Sequence, residues 1–316
     1  MLPLVSIIIP CFNSATWLGE TLSSCISQTY RKVEVIFVDN DSSDESLDIA
    51  RNFKSSKIHI TNCDRQGASA ARNEGLRIAQ GEYIQYLDAD DVLANDKIEI
   101  QVDRLAETPP NSIASSAWSR FCARPGESAP KVEPVWCDLS PQEYLISSWL
   151  GGGMMPLFGW LTPHQQIIRA GVWDETLSTN DDGEYFTRVV LQSAGIVFCS
   201  EAAGFYRSGN PSSLSRRVDR RSAESDFKAI HKSCNYLLAA NSSALARRAS
   251  AAAYQRFAYR YYPRFSDLTY QAELLLAKLG GSDLEFEGGR QSQIISSIFG
   301  WKTAKRLQYM KNWKKT

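Results

Sequence analysis

The sequence contains no cysteine pair at metal-binding spacing. Its seven cysteines, Cys11, Cys25, Cys63, Cys122, Cys137, Cys199 and Cys234, are odd in number and widely spread, without a Cys-x-x-Cys. That pattern excludes a zinc ribbon, argues against a disulfide framework and fits reduced thiols in a cytoplasmic compartment. Histidine is scarce: His59, His164 and His231 are too scattered to suggest an imidazole-built metal site. Net charge is absent, because Lys+Arg and Asp+Glu both number 35, so no overall field points to nucleic acid. No apolar run reaches the ~18 residues of a spanning helix. Leu4–Pro10 lacks the basic residues that open a signal peptide. A glycine-rich phosphate loop is missing as well. The first apolar stretch runs into Cys11-Phe12-Asn13-Ser14, and neither Gly-x-Gly-x-x-Gly nor a Walker loop occurs. A helix N-terminus closely approached by pyrophosphate normally needs such glycines. A bound nucleotide diphosphate would therefore need another neutralising device.

What is present is a chain of 316 residues, 43% apolar and 22% charged. That is enough for one large or two modest domains with a proper core. Val5–Pro10 and Val33–Val38 are near-continuous apolar stretches, the type buried on both faces of a parallel sheet. Ile58–Thr61 and Tyr83–Leu87 read as shorter strands. Between them lie helical patterns, the first capped from Asn13, Ser14 or Thr16 and running to about Gln28, the next to about Asn52, then Ala68–Ala79. Strands alternating with helices imply βαβ units and a mostly parallel sheet flanked by helices.

Tyr83–Leu87 leads directly into Asp88-Ala89-Asp90-Asp91. Carboxylates at the end of a strand sit where open α/β sheets bind ligands. On an extended chain Asp88 and Asp90 would share a side. Such a pair can hold Mg²⁺ or Mn²⁺ on oxygen while the metal's other positions face phosphate. The competing reading is that Asp90 or Asp91 caps a helix over Ala94–Glu107.

The second half is looser from Ser112 to Pro163. It is dense in aromatics (Trp118, Phe121, Trp136, Tyr144, Trp149, Phe158, Trp160) that suit either sugar faces or a core. Gly151-Gly152-Gly153 breaks it. Asp181 and Asp182 precede a helix over Glu184–Gln192, which they can cap. Phe198-Cys199 and Phe205-Tyr206-Arg207 read as closing strands. Arg207, Arg216, Arg217, Arg220 and Arg221 suggest a basic loop able to close over a diphosphate. From Ser222 the composition turns to Ala, Arg, Tyr and Leu at helical spacing, giving an appendage of three or four helices.

Four motifs in order carry a resemblance: Val5–Asn13, Val38–Asp44, Gly67–Asn73 and Asp88–Asp91. Together with Thr179–Arg188 they resemble the family 2 glycosyltransferases of GT-A fold, over roughly residues 3–210. The resemblance implies a Rossmann-like α/β fold, with a glycosyltransferase domain over 1–220 and a helical C-terminal region over 221–316. Within the first, residues 1–110 would take the nucleotide-sugar and 111–220 the acceptor. It implies inverting transfer from a nucleotide-diphosphate sugar to a glycan or lipid-linked hydroxyl. Pro10 and Phe12 would edge the base pocket, and Asp39 would accept from the N3–H that uracil and thymine present. Arg72 resembles the family's base- or phosphate-side arginine. Asp88 would face the ribose and share the Mg²⁺ or Mn²⁺ with Asp90, and Asp182 would be the general base. Where the family commonly has a second Asp and a Gly after Asp39, this chain has Asn40 and Asp41. Where relatives often carry a His after the Tyr-Arg pair, Gly209 and Asn210 stand here. The competing classes are a sugar-phosphate nucleotidyltransferase and a silent sugar-nucleotide-binding module.

The tail adds one expectation. Ile294, Ile295, Ile298, Phe299, Trp301, Leu307, Met310 and Trp313 interleave with polar residues. Lys302, Lys305, Arg306, Lys311, Lys314 and Lys315 face no acid there. A basic amphipathic helix of this kind can lie on the inner face of a membrane. The alternative is a helix packed on its own domain.

Overall fold

The structure, a computed structural model, describes residues 2–53, 55–210 and 217–313, with side chains through residue 310. The first half alternates β1 (Val5–Cys11), α1 (Ala15–Ile26), β2 (Val33–Asp39), α2 (Ser46–Asn52), β3 (Ile58–Asn62), α3 (Ala68–Ile78) and β4 (Tyr83–Tyr86). Then come β5 (Val92–Leu93), α4 (Lys97–Ala106), β6 (Ile113–Phe121), α5 (Pro141–Ser147), β7 (Thr162–Pro163), α6 (His164–Ala170), α7 (Asp181–Gln192) and β8 (Ile196–Arg207). The C-terminal helices are α8 (Arg220–Ala240), α9 (Ala244–Tyr261), α10 (Ser266–Lys278), α11 (Arg290–Phe299) and α12 (Trp301–Trp313).

The main sheet has the order β3-β2-β1-β4-β7, parallel except for the antiparallel edge strand β7. Alternation along β1 and β2 divides the core. Val5, Ile7, Ile9, Val35 and Phe37 pack with α1 and α4 on one face. Ile8, Ile36 and Val38 pack with α3 and α7 on the other. Residues one apart on a strand point to opposite faces, which is why an unbroken apolar run was needed. The chain winds outward from β1 through β2 to β3, then returns to the other side of β1 as β4. The carboxyl ends of β1 and β4 thus form the topological switch point, where an open α/β sheet leaves a crevice.

Several boundaries differ from the sequence reading. β1 passes through Pro10, which is buried and paired with Val38, and ends at Cys11. β4 stops at Tyr86. The helix after the carboxylates starts at Lys97, because β5 intervenes, so neither Asp90 nor Asp91 caps it. The loose stretch holds the nine-residue strand β6, and the two closing strands are one strand, β8, with a bulge opposite Ser116 and Ala117. β5, β8 and β6 form a second sheet. Most of the aromatics there, Trp118, Phe121, Tyr144, Phe158 and Trp160, are core residues.

Among the described residues the C-terminal region contains five helices, where three or four were expected. Leu237 of α8, with Ala246 and Ala249 of α9, belongs to the same apolar cluster as Ile8 and Tyr185. Ser225 Oγ accepts from the Ser178 and Thr179 N–H groups at 2.8 and 3.0 Å, and Asn180 Nδ2 donates to Asp226 Oδ1 at 2.7 Å. α8 therefore braces the entry to α7.

Candidate active site

The loop after β1 shows why no glycine cradle is needed. Asn13 sits at φ 49° and accepts from the Ser43 N–H through Oδ1 at 2.8 Å. The Ser14 N–H donates to Ser46 Oγ at 2.8 Å, and the Ala15 N–H donates to Asp44 Oδ2 at 2.9 Å. Side chains from the β2–α2 loop and the first residue of α2 thus occupy the start of α1, rather than Asn13, Ser14 or Thr16 capping it. This helix N-terminus is not offered to a phosphate. Asp41 takes φ 67°, a conformation that glycine adopts freely and Asp tolerates.

Asp39 ends β2 beside Cys11 of β1. Its Oδ2 accepts weakly from the Ser42 N–H at 3.3 Å. Its Oδ1 is buried and has no partner among the described residues. A buried carboxylate oxygen without a donor is costly unless a ligand supplies one. Asn40 ties the neighbouring loops together, donating to the Cys63 and Arg65 carbonyls and accepting from the Gly67 N–H at 2.8 Å. Phe12, just past the end of β1, is 58% exposed.

Asp88–Asp91 is a tight turn, closed by the Asp91 N–H on the Asp88 carbonyl at 3.1 Å. Asp88 and Asp90 are neighbours through this turn, not through an extended strand as the two-residue period suggested. Thr21 Oγ1 of α1 holds the turn by donating to the Ala89 and Asp91 carbonyls at 3.0 and 2.8 Å. Arg207 holds it from the other side. Its guanidinium lies between Trp17 and Phe121, pairs with Glu20 and donates from Nε to the Asp90 carbonyl at 2.7 Å. Arg207 is thus buried structure, not part of a loose basic loop. Of the other four arginines, Arg220 pairs with Glu224 and Asp267, and Arg216 lies outside the described residues.

Asp90 Oδ2 accepts from Asn210 Nδ2 at 2.9 Å. The Asp90 carboxyl is raised above its ordinary range by burial and then by the Asp88 charge. Asp91 is raised further, by burial and then by both neighbours. Crowded carboxylates that hold protons tightly are equally disposed to a cation. Carboxylate oxygens such as those of Asp88 and Asp90 are the donor type that Mg²⁺ or Mn²⁺ takes. Among the described residues no cluster of three or more His, Cys, Asp or Glu could complete a cage around it. Two carboxylates with substrate phosphates and water are the usual set for Mg²⁺.

Arg72 joins the two halves. It is buried in α3, with its guanidinium over the Trp173 ring at 4.5 Å. Nη2 donates to Asp88 Oδ1 at 2.9 Å and Nη1 to Asp181 Oδ2 at 2.8 Å. Burial alone would depress its pKa, but Asp181, Asp88 and Asp182 raise it. Arg72 therefore does not lie on a solvated helix face. Asp181 does not cap α7 in the ordinary way: its Oδ2 also accepts from Ser69 Oγ at 2.8 Å. Asp182, one residue on, is open to solvent. The surrounding protein still strips enough water to raise its carboxyl to about 6, with the Asp181 charge adding and Arg72 opposing.

The sequence reading missed the supports of this arrangement. Trp173 stacks on Tyr185 at 3.9 Å, and Tyr86 meets both edge-on. Asn73 accepts from the Trp173 N–H at 2.9 Å and donates to its carbonyl at 3.0 Å. Arg65 and Asn73 both bind Glu175. Asn73 and Tyr185 lie inside the quoted motifs, but only the tertiary contact reveals their partners.

Comparison with known proteins agrees with this layout. The Glycosyl transferase family 2 model matches residues 6–145. An uncharacterized glycosyltransferase of Haemophilus influenzae is 43% identical over 106 residues, covering 32% of this chain and 42% of that protein. The Escherichia coli UDP-Glc:alpha-D-GlcNAc-diphosphoundecaprenol beta-1,3-glucosyltransferase WfaP is 43% identical over 100 residues, covering 31% and 40%. In both, the chain covers well under two thirds of the curated relative. Among solved structures, S. aureus TarS 1-349 in complex with UDP superposes with TM-score 0.71 at 15% identity, covering 97% of this chain and 91% of that one. Motif order, switch-point geometry and these likenesses together show that residues 6–145 are similar to glycosyl transferase family 2 and that the chain has the fold of the GT-A glycosyltransferases.

Proposed function

We propose that the protein transfers a sugar, with inversion, from a UDP- or TDP-linked donor to a hydroxyl of a glycan or lipid-linked acceptor in surface polysaccharide synthesis. The observation that carries this reading is Arg72, whose guanidinium joins Asp88, after β4, to Asp181, at the start of α7. Asp182 follows directly, exposed and with a raised carboxyl.

Asp39 Oδ1 would accept the base N3–H, and the backbone about Pro10 with the Phe12 ring would edge the base. Asp88 would meet the ribose and, with Asp90, hold Mg²⁺ or Mn²⁺. Such a metal, when bound, offsets the charge that gathers on a departing diphosphate. Arg72 adds positive charge beside the same carboxylates and keeps Asp88 and Asp181 in register. Asp182 would take the acceptor hydroxyl proton as that oxygen attacks the anomeric carbon opposite the diphosphate. The C–O bond to the diphosphate breaks in the same displacement, so no enzyme-bound sugar is required. A pKa of about 6 suits a base that must be ionised near neutrality and still attract a proton. The solved TarS complex with UDP and the E. coli relative named for UDP-Glc and a diphosphoundecaprenol acceptor support the choice of donor and acceptor. A Pyrobaculum calidifontis mannosyltransferase of similar fold, TM-score 0.56, holds GDP-Man and Mn²⁺ and supports the metal. A cytoplasmic location belongs to the same proposal.

A panel of nucleotide sugars with Mn²⁺, read first by thermal shift and then by UDP release with and without acceptor, tests it. Stabilisation by a UDP- or TDP-sugar and metal-dependent release of the nucleotide are expected. Pyrophosphate release from UTP and a sugar phosphate would overturn the reading in favour of a nucleotidyltransferase. Binding without turnover would favour a silent module.

A further inference from the structure

α11 and α12 form a hairpin that is packed on one side only. α12 is seated on the C-terminal helices. Trp301 meets Tyr259 and Tyr262 edge-on at 4.9 and 5.3 Å, Ala304 is buried, and Lys302 Nζ pairs with Glu273 at 2.8 Å. α11 has no buried residue. Its Ile294, Ile295, Ile298 and Phe299 recur at one, four and five positions, which places them on one helical face. Ile294, Ile298 and Phe299 are 52%, 67% and 67% exposed. Leu307 and Met310 of α12 are exposed too. Gly300, at φ 78°, makes the turn between the helices. After Glu287 the sequence holds Arg290, Lys302, Lys305, Arg306, Lys311, Lys314 and Lys315, and no acid.

Exposed apolar residues in one patch normally have a partner. The charge pattern selects which. A second copy docking here would bring together two tails, each with seven cations and no acid after Glu287. An anionic bilayer surface offers the opposite charge and takes up Ile, Phe and Leu side chains at its acyl boundary. At 10 and 13 residues, α11 and α12 are too short to cross a membrane. We propose that the α11–α12 hairpin is a docking surface for an anionic lipid bilayer, lying in the interface plane with the Ile294–Phe299 face inward. This inference does not depend on the sugar-transfer reading.

Flotation of the full chain with vesicles tests it. One set is phosphatidylcholine alone, and the other contains about one third phosphatidylglycerol. The protein is expected to float with the anionic set at low salt, to bind the neutral set at least tenfold less, and to release as salt rises. Ile298→Asp with Phe299→Ser, both exposed, should cut binding at least tenfold without altering the melting temperature or UDP binding. A wild-type chain that stays unbound at low salt overturns the proposal. So does a double variant that floats as well as wild type. Conversion of a dimer to a monomer by the double variant, with no vesicle binding by either protein, assigns the face to a second copy instead.

Discussion

Arg207 Nε donates to the carbonyl oxygen of Asp90 at 2.7 Å, and the Arg207 N–H donates to Asp91 Oδ1 at 2.8 Å. The end of β8 thereby fixes a turn 116 and 117 residues earlier in the chain. Arg207→Lys removes the fork that reaches Glu20 and the Asp90 carbonyl together. It should raise the Mn²⁺ concentration for half-maximal UDP binding roughly tenfold, the scale for residues that orient metal ligands. Titration calorimetry at fixed UDP measures this. An unchanged Mn²⁺ dependence would leave Arg207 a purely structural residue.

Asp90→Asn should abolish metal-dependent UDP binding while the fold survives, because the neutral amide relieves crowding among Asp88, Asp90 and Asp91. At about 100 times Kd, UDP with Mn²⁺ should stabilise the wild type by about 2.7 kcal/mol and the variant hardly at all. Equal thermal shifts in the two proteins would sink the metal assignment.

Asp182→Asn should retain donor binding and lose roughly 10²–10⁴ in turnover, the usual contribution of a positioned base. The wild-type kcat/KM should fall tenfold per pH unit below about 6, where the raised carboxyl takes up its proton. The stability effect has the opposite sign to that of a salt-bridged carboxylate. A carboxyl raised in the folded state favours folding at low pH and loses that advantage as pH climbs from the ordinary carboxylate range to about 6. The variant should therefore gain on the wild type in melting temperature between about pH 4 and 6. An acid limb that persists unshifted in the variant's residual activity would place the base elsewhere.

Asp39→Asn should weaken UDP binding by roughly tenfold or more, the value of a hydrogen bond to a charged acceptor, and should narrow the preference for UDP over CDP. Competition between the two nucleotides is the measurement. An unaltered UDP:CDP ratio would remove Asp39 from base recognition.

The sequence by itself determined the parallel sheet. Val5–Ile9 and Val33–Val38 are apolar at every other position or more, so they can be satisfied only with both faces covered. It also determined where the carboxylates would fall, because each follows a strand or opens a helix. What it could not determine was how those carboxylates are paired. Asp88 and Asp181 are joined by Arg72 across sequence separations of 16 and 109 residues, and no local pattern encodes such a contact. β6 and β8 escaped for a related reason. β6 carries buried Ser115, Ser116 and Ser119, and β8 is broken by a bulge, so neither shows a clean period. Lys97 is the sharpest case. It is a lysine within a helix, yet it is fully buried and donates to Gln85 and Gln101. Periodicity reports how a segment divides its apolar and polar faces. Which buried charge meets which partner is decided only when distant segments close on one another and exclude water.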